Sequence, residues 1–200
     1  MTATLTKQNS FINFLNKFKE MVGEDAYDLA ISYPRALSCL KYLHYKKIPV
    51  NREDLTQDLA FFNPIKGIVL GNNLGNKYDL ILAIIHETIH SINVSSITIN
   101  TLLDKSQDEF VEWCWMDEIK ATRVHSIAAN RLRNIDPEFN TQILTVSPLC
   151  SDDSIKVWLQ SCDNVNPYSD EEYKEQYRLY KNFCSPTVFN LLNPNNMFKK

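Results

Sequence analysis

The sequence predicts a mainly helical α+β domain. Most segments repeat apolar residues at the three- and four-residue spacing of one helix face. One short run, residues 65–70, is instead rich in β-branched side chains and is bounded by Pro64 and Gly71, a pattern typical of a strand. The chain has 200 residues, which favours one domain, over residues 1–200, rather than two. We therefore expect a small sheet packed on a set of helices.

Two helices are predicted near the N-terminus. Apolar residues recur at helical spacing over residues 11–21, after Ser10 as an N-cap, and Gly23 ends the run. A second helix is predicted to begin after Pro34, a residue favoured in the first turn, and to continue to the basic pair Lys46–Lys47.

Residues 51–76 are predicted to contain a helix, a strand and a turn-rich segment. Residues 51–62 favour a third helix, because Asn51 fits an N-cap and Asp54 fits the acidic position three residues later. Residues 65–70 follow as the predicted strand. The turn-rich residues 72–76 then separate that strand from the helix after it.

The central helix is predicted over about residues 77–93. It is apolar nearly all round, so we expect it in the middle of the domain. Ser106 and Glu109 form a capping box that opens a long helix ending near Arg133. Asp136–Pro137 then predicts a new helix, with Asp as the cap and Pro in the first position.

Two shorter helices are predicted in the C-terminal third. One covers residues 152–160. The other follows a capping box of Ser169 and Glu172 and carries an aromatic stripe, which favours core packing over a binding platform. The stripe comprises Tyr173, Tyr177, Tyr180 and Phe183.

Composition excludes several classes of protein. Lys and Arg number 21 against 24 for Asp and Glu, a net charge of −3, so we expect no nucleic-acid partner. The longest apolar run is six residues, 80–85, and a membrane span needs about 20. Five cysteines without CxxC spacing indicate neither a disulfide framework nor a Cys-rich zinc site. With no signal-peptide pattern, a cytoplasmic location is expected, although a leaderless exported effector would have the same features.

The chemistry lies in the central helix, where the sequence reads His86-Glu87-Thr88-Ile89-His90. Two histidines four residues apart share one helical face and can bind a single zinc ion. Glu87 lies beside that face, where a carboxylate can take a proton from metal-bound water. Burying these polar groups unpaired in an apolar helix would cost several kcal/mol, and a zinc ion would account for all of them.

A third zinc ligand is expected from the helix that starts after Ser106. One mainly apolar face of that helix carries Glu118 and, two turns later, His125. Either residue fits the third position. His125 also fits the role of a hydrogen-bond donor to a developing oxyanion or to Glu118, or that of an ordinary core histidine. Asp117 lies off this face, as a solvated charge or a partner of a ligand.

Together, His86–His90 and the segment Asp117-Glu118-Ile119-Lys120-Ala121 resemble the gluzincin branch of zinc metallopeptidases. They are similar to the family that processes a mitochondrial ATP-synthase subunit, and to phage-type metallopeptidases that cleave repressors. Asn93 stands where the mitochondrial family has an acidic residue.

The resemblance implies a zincin-like fold and a metalloendopeptidase acting on a protein or peptide. It implies one Zn²⁺ held by His86, His90 and Glu118, with Glu87 as general base. His125, from its position on the face of Glu118, is the second catalytic candidate. Residues 65–133 would form the catalytic core and 134–200 a helical C-terminal part.

The resemblance further implies that the strand at 65–70 is an edge strand that pairs with substrate, with Gly67 and Gly71 allowing close backbone approach. Two other functions stay open. One is a binding module in which zinc is only structural, and the other is a metal-free helical interaction protein.

Overall fold

The computed structural model describes residues 2–55, 59–95, 101, 104–161 and 169–183. It is mainly helical with a small three-stranded sheet, which confirms the α+β prediction. Among the described residues, no helix has the length and apolar character needed to cross a membrane. The helices and strands are α1 (Thr2–Val22), α2 (Glu24–Ser32), α3 (Pro34–Lys46), β1 (Val50–Glu53), β2 (Ala60–Asn63), β3 (Gly67–Gly71), α4 (Lys77–Ser95), α5 (Gln107–Ile135), α6 (Asp152–Ser161) and α7 (Asp170–Phe183).

The helix predicted over residues 51–62 is wrong, because strands β1 and β2 occupy much of that segment. All five residues of β3 are buried, so its backbone N–H and C=O groups need partners on both sides. Strand β1 supplies them in parallel and β2 in antiparallel register. This long-range pairing outweighs the local cap signal of Asn51 and Asp54; residues 56–58 lie outside the described residues.

The edge-strand prediction for residues 65–70 is also wrong. Strand β3 is the central strand of the order β1-β3-β2. The close backbone approach at Gly67, whose φ is +83°, is made by this chain itself: a Cβ there would lie 2.1 Å from the Pro49 carbonyl oxygen. At Gly71 a Cβ would similarly meet Asn73 and the Leu59 carbonyl. Both glycines thus allow close contacts within this chain.

Most helix starts are as the sequence predicts, but the N-cap predicted at Ser10 is wrong, because α1 begins at Thr2 and Ser10 lies inside the helix. The Oδ1 of Asn76 accepts from the backbone N–H groups of Tyr78 and Asp79 and so caps α4. The capping box of Ser106 and Glu109 at α5 is present in full. Helix α2, which begins directly after Gly23, has no counterpart in the sequence prediction.

The helix predicted from Asp136–Pro137 is wrong, since α5 ends at Ile135 and residues 136–151 are not helical. The backbone N–H of Asp136 closes α5 on Leu132. Its carboxylate accepts from the Glu138 backbone N–H and from the Tyr78 hydroxyl at 2.6 Å. We call residues 136–151 the strap.

The strap is held to α4 and α5 along its length. Asp79, fully buried, accepts from the Thr141 hydroxyl and from the Gln142 backbone N–H. Ser126 accepts from the Val146 backbone N–H, and Arg123 donates to the Cys150 carbonyl. These contacts order a segment that has no regular secondary structure of its own.

Two apolar clusters form the core. The larger joins α1, α2, α3, the sheet and α4 to the last turns of α5. The smaller joins the first half of α5 to α6 and α7. Tyr173 is buried in it against Trp115, so core packing is confirmed for the first residue of the aromatic stripe. The middle of α5 lies between the clusters and is polar.

Candidate metal centre

Helices α4 and α5 pack against each other in antiparallel fashion. Side-chain contacts run from Tyr78 to residue 136, from His86 to residue 125 and from His90 to residue 117, so one helix ascends as the other descends. Ala121, fully buried, lies between the levels of His86 and His90. A small side chain at that level lets the two helices approach closely.

His86 and His90 lie one turn apart on α4, as their spacing predicts. Their Nε2 atoms are 2.9 Å apart. His90 is buried, and the side chain of His86 is 18% exposed, which makes it the more accessible of the two. The two Nε2 atoms therefore point to the same position between the helices.

Glu118 on α5 completes the group. One of its carboxylate oxygens lies 3.5 Å from His86 Nε2, and the other lies 3.4 Å from His90 Nε2. One ligand atom from each of the three residues lies within 4.8 Å of the others. Tetrahedral zinc with bonds of 2.0–2.1 Å separates neighbouring ligand atoms by about 3.3 Å, so these separations fit one ion.

The other ring nitrogens of the two histidines have partners of their own. His90 Nδ1 donates to Asp117 at 2.8 Å, and Asn93 donates to the second oxygen of the same carboxylate. His86 Nδ1 lies 2.8 Å from His125 Nδ1. When each histidine carries its only proton on Nδ1, each Nε2 has a lone pair, and two lone pairs 2.9 Å apart need a shared cation, either a proton or a metal ion, between them.

The electrostatics of the centre favour that cation. Burial alone would lower the pKa of His90, but the carboxylates of Glu118, Asp117 and Glu87 raise it to about 10. Burial opposes ionisation of Glu118 too, yet His90 and His86 hold the pKa of that carboxyl below its usual range. The field that stabilises a proton here also stabilises a divalent metal ion.

Glu87 differs from the ligands. It is buried, 6% exposed, and burial raises the pKa of its carboxyl, while His86 and His90 act in the opposite direction. The backbone of Phe62 in β2 also favours the ionised form of this carboxyl and so acts to lower its pKa. Glu87 is thus a carboxyl group of raised proton affinity beside the three converging ligand atoms.

No family model, curated protein or solved structure matches this chain. The chemistry of the centre is consequently inferred from its own residues and from their geometry.

The structure brings together the predicted residues His86, His90 and Glu118, and it places Glu87 beside them. His125 lies on the Nδ1 side of His86, outside the ligand group, and its Nε2 donates to the Leu144 carbonyl at 2.9 Å. Burial and the nearby His86 lower the pKa of His125 to about 3, so its ring is neutral near pH 7.

Sequence reasoning missed two parts of this centre and left a third undecided. It did not find the Phe62 backbone at Glu87 or the Leu144 carbonyl at His125, because backbone groups leave no signature in a sequence. It left Asp117 open between a solvated charge and a partner of a ligand. The spacing of 27 residues between His90 and Asp117 gives no local signal of their contact.

Proposed function

We propose that this protein is a zinc-dependent metalloendopeptidase with a zincin-like arrangement of its central helix, its ligand-bearing α5 and its sheet. The observation that carries the proposal is the convergence of His86 Nε2, His90 Nε2 and a Glu118 oxygen, with Glu87 adjacent. Three protein ligands leave one position of a tetrahedral ion for water or substrate, as catalytic zinc sites do.

Zinc bound by this ligand set would supply Lewis acidity, lowering the pKa of a water molecule and polarising a peptide carbonyl. Glu87 takes the proton of the attacking water and then donates it to the amine that leaves. A raised carboxyl pKa suits this role, because a stronger base holds the proton between the two transfers. A purely structural zinc site has no need of such a base.

Strand β2 is suited to hold an extended substrate. The Leu59 carbonyl accepts from the Gly71 N–H. The backbone N–H and C=O groups of the odd-numbered residues of β2 therefore point to β3, and those of the even-numbered residues point away from it. Ala60 and Phe62 therefore direct backbone groups towards the outer side, where Phe62 reaches Glu87. A peptide that pairs with this edge would lie against the general base.

The test compares wild type with Glu87→Gln on a mixed peptide library, read by mass spectrometry after loading with Zn²⁺. We expect turnover to fall about 10²- to 10⁴-fold, the usual contribution of a general base, with one zinc retained per chain. Glu112→Gln is the matched control, because it removes the same charge from an exposed position on α5. Equal turnover of Glu87→Gln and wild type contradicts the mechanism, and zinc binding without cleavage favours a structural or binding role.

A further inference from the structure

His125 has no direct contact with the proposed metal ligand atoms, yet its two ring nitrogens have defined partners. We propose that His125 is a positioning residue that keeps the proton of His86 on Nδ1, so that Nε2 is free to bind the metal. The inference rests on the proposed metal site and assigns His125 a different role from the catalytic one that the sequence suggests.

The direction of each hydrogen bond in the series from His86 through His125 to Leu144 follows from its final acceptor, the Leu144 carbonyl. The Leu144 carbonyl can only accept, so His125 Nε2 carries a proton and donates across 2.9 Å. A neutral ring with a proton on Nε2 has a lone pair on Nδ1. That lone pair accepts the proton of His86 Nδ1 across 2.8 Å. His86 Nε2 is then unprotonated and points at His90 and Glu118.

The alternative proton arrangement is incompatible with the ligand role of His86. If His125 carried protons on both nitrogens, its Nδ1 would donate to His86 Nδ1. A neutral His86 would then hold its proton on Nε2, which has no lone pair to offer a metal in that form. The position of the proton on the buried His125 ring thus decides which nitrogen of His86 can bind the metal.

The strap supplies the fixed acceptor. The next residue on α5, Ser126, accepts from the Val146 backbone N–H at 3.1 Å, two residues beyond Leu144. His125 and Ser126 therefore bind the same stretch of the strap, but only His125 also contacts a ligand. Ser126→Ala weakens the strap without touching His86, which makes it a matched control.

The experiment measures Zn²⁺ affinity by competition with a chelating dye for wild type, His125→Leu, His125→Asn and Ser126→Ala. His125→Leu removes the acceptor, and we expect affinity to fall about 10- to 100-fold, as when a partner of a metal ligand is lost. His125→Asn keeps an oxygen acceptor at the Nδ1 position and should recover most of the affinity. Ser126→Ala should bind Zn²⁺ as wild type does.

A second measurement needs no variant. Long-range ¹H–¹⁵N spectra of ¹⁵N-labelled, Zn²⁺-loaded wild type report which nitrogen of His125 is protonated. We expect a proton on Nε2 and none on Nδ1. A proton on Nδ1 overturns the inference even if His125→Leu does not fold.

The outcomes separate the two proposals. Wild type that binds no Zn²⁺ contradicts the proposed function itself. Wild type that binds while His125→Leu binds equally well overturns only the role of His125. A loss in Ser126→Ala as large as that in His125→Leu also overturns it, because the effect would then come from the strap and not from the proton on His86.

Discussion

Replacing Glu118 by Gln tests the third ligand with a nearly unchanged side-chain shape. At free Zn²⁺ 100 times the wild-type Kd, binding stabilises the folded wild type by about 2.7 kcal/mol. For a chain of 200 residues that corresponds to a rise in Tm of about 5–11 °C. Glu118 is a direct member of the ligand group, so its loss should weaken binding by at least about 100-fold, the upper range for residues that only support a ligand.

At the same Zn²⁺ concentration, Zn²⁺ binding would then stabilise folded Glu118→Gln by at most about 0.4 kcal/mol, which corresponds to a rise in Tm of about 1–2 °C. The assay is differential scanning calorimetry of each protein with EDTA and with Zn²⁺, so that each variant is compared with itself. Glu112→Gln, exposed on the same helix, should keep the wild-type rise. A rise in Glu118→Gln equal to that of wild type would refute the assignment of Glu118 as a ligand.

Three further predictions concern the scaffold. Asp79→Ala removes the buried acceptor of the Thr141 hydroxyl and the Gln142 backbone N–H and should cost about 3 kcal/mol in urea unfolding; a change below about 0.5 kcal/mol would contradict this. Gly67→Ala forces a Cβ against Pro49 at positive φ and should cost at least about 2 kcal/mol in the same assay, and a variant as stable as wild type would show that no strain exists. The Tyr78 hydroxyl lowers the pKa of Asp136 below its ordinary 3.8, so this contact stabilises the fold above that pH and is lost as the pH falls through the folded-state pKa. The stability difference between wild type and Tyr78→Phe should therefore shrink as the pH falls below about 4, and a constant difference would argue against it.

Most of the helices were predictable because their signals are local, although α2 has no such signal. Apolar spacing and the capping box of Ser106 placed α5 within a few residues of its observed bounds. The sheet was not, because β1 and β2 are defined by pairing with β3 and not by their own composition. Asp136 shows the same limit. Its sequence resembles a helix cap, but its carboxylate accepts from the hydroxyl of Tyr78, 58 residues away along the chain, and no helix follows.

The candidate centre, too, was only partly predictable from the sequence. His86, Glu87 and His90 could be recognised because one helix turn fixes their spacing. Glu118 could be proposed from its place on a mainly apolar face of α5. The hydrogen-bond partners that orient the two histidines depend on how α4, α5 and the strap pack, and one of them, the Leu144 carbonyl, is a backbone group common to every residue.

The polar contacts between the antiparallel helices α4 and α5 also fix how the two helices are aligned along their axes. Much of the apolar surface between these helices consists of Leu, Ile and Ala, which would tolerate a slip of one turn, about 5.4 Å. The polar contacts at His86 and His90, together with Tyr78 to Asp136, are satisfied in one alignment only. They thus specify the axial position of α5 as well as its chemistry.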